Sequence, residues 1–169
     1  VAAICHGIAQ LWGSTACIQN CTQSPAFIIK AIEEPLARLH HEARALRLNS
    51  SPAVKATAVA LQIVLYLSWS AQTEMNVASL ASELKMALCM MEVRTCSDLN
   101  FTSFQLMIGA IAAEVDSLTR TWFLTKLKTA ILVLKSRGLD APLKLFNKVL
   151  IPEANIMLHL TGLWEELLS

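Results

Sequence analysis

The sequence predicts an all-α fold, one bundle or array of eight or nine helices. Three observations carry this. Apolar residues recur at helical spacing along almost the whole chain, and no run alternates with the period of two that marks a half-buried strand. Ser-Pro pairs at 24–25 and 51–52 place a capping side chain before a proline, which suits the first position of a helix. The composition is that of a packed core: 54% of the 169 residues are hydrophobic and 16% charged, against about 25% charged in a typical soluble domain. That length fits one domain.

The first helix is expected over 1–12. After Pro25, the residues Ile28, Ile32, Leu36, Leu39, Ala43 and Leu46 form one stripe, with Glu33, Glu34, Arg38, His41, Glu42 and Arg44 off it. Pro35 predicts a kink or the start of a second helix, because it removes a backbone donor and crowds the preceding turn. The next helix is expected over 53–71. Residues 56–73 carry no charge, and a run of that length touches the criterion for a membrane span. Gln62, Thr57 and Ser68 interrupt it, however, and no basic loop flanks it. A central helix buried nearly all round is therefore predicted.

Asn76 is placed to cap a helix that turns Val77, Leu80, Leu84, Leu88 and Met91 to one side. A turn around Thr95–Asp98 precedes the helix of 99–115. Gly109 sits inside that helix, where glycine costs about 1 kcal/mol relative to alanine, so close approach of another backbone is expected there. In the helix of 118–136 the residues Leu118, Trp122, Leu127, Ile131 and Leu134 are expected inward, with Gly138 ending it. A short helix over 142–150 follows Pro142, and the last, over 153–168, presents Ile156, Leu160, Leu163, Trp164 and Leu167.

Charge and motifs exclude several function classes. The net charge of +1 removes the footprint of a nucleic-acid-binding module. Segment 120–148 holds seven basic residues against Asp140, and 74–116 holds six acidic ones against Lys85 and Arg94; the two are expected to pack as complementary neighbours. Cys5, Cys17, Cys21, Cys89 and Cys96 are odd in number and lack the spacing of a zinc site, so they read as small buried side chains. His40 and His41 point about 100° apart on one helix and read as part of a solvated mixed-charge face. Glu165 and Glu166 are expected in solvent. No phosphate loop or nucleophile motif is present, so no enzyme, no catalytic residue and no metal ligand is predicted. Residues 1–16 lack the pattern of a signal peptide.

The stretch 104–166 contains an apolar helix ending Ile108-Gly109-Ala110-Ile111-Ala112-Ala113, then Arg120-Thr121-Trp122-Phe123. Leu145-Phe146 and a final Leu163-Trp164-Glu165-Glu166 follow. In this order it resembles the C-terminal part of the fungus-specific regulatory domain that follows the six-cysteine zinc-cluster DNA-binding module of fungal transcription factors. The run Ala60 to Trp69 is similar to the central helix of that family, whereas Leu139 stands near a place where the family often has Trp. The resemblance implies a helical regulatory domain over 1–169, a piece of a longer nuclear protein that controls transcription by RNA polymerase II. Zinc and DNA would belong to the module absent from this chain. The partners implied are the rest of the polypeptide, a second copy, a coregulator or a small effector, without a membrane. Gly109, Arg120, Trp122, Phe123 and Trp164 would be structural motif residues, with Arg120 paired to a carboxylate such as Glu114 or Glu165. The alternative is a secreted, glycosylated helical-bundle signalling protein. The sequons at Asn20, Asn49 and Asn100 and the five cysteines motivate it.

Overall fold

The computed structural model describes residues 1–19, 25–48, 50–69, 77–91, 96–135 and 154–168. Among these residues there are seven helices and no strand: α1 (Ala2–Gln19), α2 (Pro25–Leu48), α3 (Pro52–Trp69), α4 (Val77–Cys89), α5 (Cys96–Ala112), α6 (Leu118–Lys135) and α7 (Ala154–Leu168). The all-α expectation holds, but eight or nine helices was too many for the described chain. One reason is Pro35. The helix α2 runs through it unbroken, losing one backbone hydrogen bond, while Leu39 and Ala43 beyond it are held in the core. The helix expected over 142–150 and the stop at Gly138 lie outside the described residues.

The first helix is also longer than its expected 1–12, because nothing in 13–19 breaks it: Gly13 has open space around its Cα, and the Ser14 hydroxyl donates back to the Gln10 carbonyl at 2.9 Å. Trp12 stacks on Trp69 with ring centroids 6.0 Å apart, and its Nε1 donates to Ser68 Oγ at 3.2 Å. These two contacts fasten α1 to the end of α3.

The core is organised around α3, which packs against α1, α2, α4, α5 and α7. With neighbours on so many sides, no polar face is needed, and all ten residues from Ala56 to Leu65 are buried. This is the one helix among the described residues that is long and apolar enough to cross a membrane, and its central stretch is enclosed by other helices of the same chain. Two buried polar residues, Thr57 and Gln105, meet across the α3–α5 contact, where Gln105 Nε2 donates to Thr57 Oγ1 at 2.9 Å. The Thr57 hydroxyl in turn donates to the Ala53 carbonyl.

In α6 the core stripe is Phe123, Leu127, Ala130 and Leu134, spaced by three and four residues as a helix face requires. Of the expected stripe, Leu127 and Leu134 are buried as expected, while Phe123 and Ala130 take the places given to Trp122 and Ile131. Trp122 and Ile131 are half-buried beside the true stripe, and Leu118 is 85% exposed. Leu118 fails because it opens the first turn, just after Ser117, whose hydroxyl accepts from the Arg120 N–H at 3.1 Å and so caps the helix. Asp116, before the cap, has φ of 63°, a left-handed conformation that aspartate tolerates better than most residues. In α7, Ile156, Leu160 and Leu163 are buried as expected.

Candidate functional site

Four of the residues that the sequence singled out, Gly109, Arg120, Trp122 and Phe123, converge where α5 meets α6, and Arg120 reaches on to α7. Gly109 faces the ring of Phe123, close enough that a Cβ at this position would overlap the ring. The close approach predicted at Gly109 is therefore real, but its partner is an aromatic side chain rather than a backbone. Phe123 is fully buried and meets Trp122 edge-on, with centroids 5.1 Å apart. Trp122 is half-buried, and the Lys85 ammonium lies 5.8 Å from its ring centroid, within the range of a cation–π contact. Trp164 is half-buried on α7.

Arg120 sits at the centre of this joint. Its Nη1 donates to the Ala110 carbonyl at 2.6 Å, and its Nη2 and Nε donate to Glu166 at 2.5 and 3.4 Å. Ala110 lies in the last turn of α5, whose carbonyls lack helical donors and carry partial negative charge. The guanidinium fork thus closes one helix end and ties it to α7. The partner is Glu166 rather than Glu114 or Glu165, because neighbouring positions on a helix point in different directions. Glu165 and Glu166 are both exposed.

Beside this joint, Trp122, Leu88, Met91, Leu99, Leu106 and Val133 line an apolar cleft of about 450 Å³. Lys126, Thr102, Thr129 and Cys89 share its lining. Cys89 is exposed and Cys5 half-buried, so the reading of the cysteines as buried side chains is corrected for these two. A helix of 13 residues ending at Cys89 leaves that thiol in its last turn at the rim of the core. Burial raises the Cys5 thiol above its ordinary pKa, which the adjacent N-terminal charge partly offsets. The side chains of Cys17, Cys21 and Cys96 lie outside the described residues.

A second cleft, also of about 450 Å³, opens between α2, α3 and α4. Three helical pairs and triplets build its walls: His40, Arg44 and Arg47 on α2, Gln62 and Tyr66 on α3, Ser79 and Glu83 on α4. Arg47 Nη1 donates to Oε1 of the buried Gln62 at 2.7 Å, and Nη2 pairs with Glu83 at 2.9 Å. Glu83 also receives Lys55 at 3.2 Å. Segments 74–116 and 120–148 do pack as neighbours, through α5 against α6, but the ion pairs of Glu83 and Arg120 go elsewhere: Glu83 to α2 and α3, Arg120 to α7. The His40 ring lies against Tyr66 with centroids 4.5 Å apart. Its Nδ1 is buried without a hydrogen-bond partner, and burial lowers the imidazole pKa below 6.5.

His40 is thus not part of a solvated face, although His41 is exposed. This cleft escaped the sequence reading. The signal was there in the spacing of residues 40, 44 and 47, 62 and 66, and 79 and 83, each set on one helix face. What the spacing lacked was any indication that the three faces meet.

Among the described residues no three His, Cys, Asp or Glu side chains converge as a metal site. Of the sequons, Asn100 lies in α5, where Thr102 is buried and donates to the Leu99 carbonyl. Asn20 and Asn49 lie outside the described residues. Compared with known protein families, with curated proteins and with solved structures, the chain matches none.

Proposed function

We propose that this chain is a helical regulatory domain of the kind carried by fungal zinc-cluster transcription factors. In that role it acts in the nucleus on transcription by RNA polymerase II. It does so through the rest of its own polypeptide, a second copy, a coregulator or a small effector, and it catalyses no reaction. DNA and zinc belong on this reading to a module outside residues 1–169. The observation that supports it is the joint of α5, α6 and α7. The motif residues Gly109, Arg120 and Phe123 are distant from Glu166 in the chain, yet they form one connected unit at a helix end. An interlock of this kind holds a helix angle, which is what a domain that transmits contacts requires.

The test has two arms. The reading frame upstream of Val1 is expected to encode six closely spaced cysteines, and an uninterrupted frame without them overturns the family assignment. In the complete protein, Arg120→Ala is expected to change reporter transcription at unchanged DNA occupancy. Unchanged transcription overturns the regulatory role.

A further inference from the structure

We infer that the cleft between α2, α3 and α4 is a binding site for a small organic carboxylate. Its volume of about 450 Å³ falls within the roughly 300–1,000 Å³ of small-molecule sites. Its lining has a cationic end, Arg44 and Arg47, and a less polar one, Tyr66 and Leu80. Arg47 is already oriented, by buried Gln62 at 2.7 Å and Glu83 at 2.9 Å. A preorganised guanidinium loses little freedom when it receives a further acceptor, and its planar fork suits a carboxylate.

Glu83 divides its charge between Arg47 and Lys55, a residue outside the lining, so within the cleft Arg44 and Arg47 stand against one carboxylate. That excess favours an anion. A phosphate dianion would bring a second negative charge towards Glu83, whereas a single carboxylate would not. The His40 ring also belongs to the wall, although its Nδ1, buried without a partner, is closed to solvent and so to a ligand.

Tyr66 is the only tyrosine of the chain, and its ring resonances therefore report on the cleft directly. Benzoate titrated into the 169-residue chain is expected to shift them saturably, and its neutral analogue benzamide to bind about tenfold or more weakly, the worth of one charge-assisted hydrogen bond. Arg44→Gln, an exposed position, is expected to weaken benzoate by a similar factor while the spectrum stays folded. Equal binding of benzoate and benzamide overturns the inference, as does a shift that rises without saturating. Saturation by inorganic phosphate but not by benzoate overturns the carboxylate assignment. Binding is read on the chain alone, so its outcome is separate from the regulatory reading.

Discussion

At Gly109 even a methyl group would overlap the Phe123 ring, and because both residues are enclosed in the core the ring has no free volume to enter. Gly109→Ala adds helix propensity of about 1 kcal/mol but forces overpacking that costs about 1–3 kcal/mol. A net loss of stability is expected in denaturant unfolding, with part of it recovered when Phe123→Leu is added. An unchanged midpoint would show that the ring moves freely. His40 offers a different residue-scale test. Its folded-state pKa is lowered by burial from 6.5, so the unfolded chain binds the proton more readily. The contribution of His40 is therefore fully present above pH 6.5 and is lost as the pH falls below it, towards the folded-state value. His40→Phe is expected to flatten the pH dependence of stability below 6.5. An equally steep dependence in that variant would place the effect on another group. Neither residue announced its neighbour: the need for a small side chain inside a helix was legible at Gly109, but the ring opposite it was not.

Arg120 joins three elements at once, and its two sets of contacts differ in worth. The bond to Ala110 satisfies an orphan carbonyl at a helix end, and Arg120 is 16% exposed. Glu166 is 41% exposed, so solvent screens its share of the pair, which belongs with surface salt bridges of about 0–1 kcal/mol. Arg120→Ala is expected to cost about 1–3 kcal/mol and Glu166→Gln less than about 1 kcal/mol. A double-mutant cycle measured by chemical denaturation checks the order. Equal losses from the two single variants would mean that the carboxylate, not the carbonyl, carries the interaction. Helix existence was largely legible because amphipathic spacing is written locally, as the buried Leu80, Leu84 and Leu88 of α4 and Ile156, Leu160 and Leu163 of α7 illustrate. The face of α6 was read correctly at Leu127 and Leu134 but missed at its start, because Trp122 and Leu118 weigh as heavily in a hydrophobic pattern as Phe123, and only the neighbouring helices choose among them.

Across the whole molecule, the apolar excess of the composition is only partly absorbed. Met86, Met90, Leu118, Leu132 and Leu158 are each more than two-thirds exposed. Met86 on α4 and Met90, the residue just past its end, are joined by the bond from the Met90 N–H to the Met86 carbonyl, next to Cys89 of the apolar cleft. Adjoining exposed apolar groups of this kind favour contacts between molecules. Sedimentation velocity is expected to show reversible self-association that grows with concentration and is weakened by Met86→Lys with Met90→Lys. A clean monomer throughout the concentration series would contradict this. The sequence by itself determined the helical class, most helix positions, the burial of the 56–65 stretch and the need for closeness at Gly109, because each follows from side chains within a few turns of one another. The tertiary structure alone decided that Arg120 takes Glu166, that Phe123 fills the space at Gly109, and that three polar helix faces close on His40. Those choices depend on how helices distant in sequence are rotated and placed against each other, and no local periodicity encodes that.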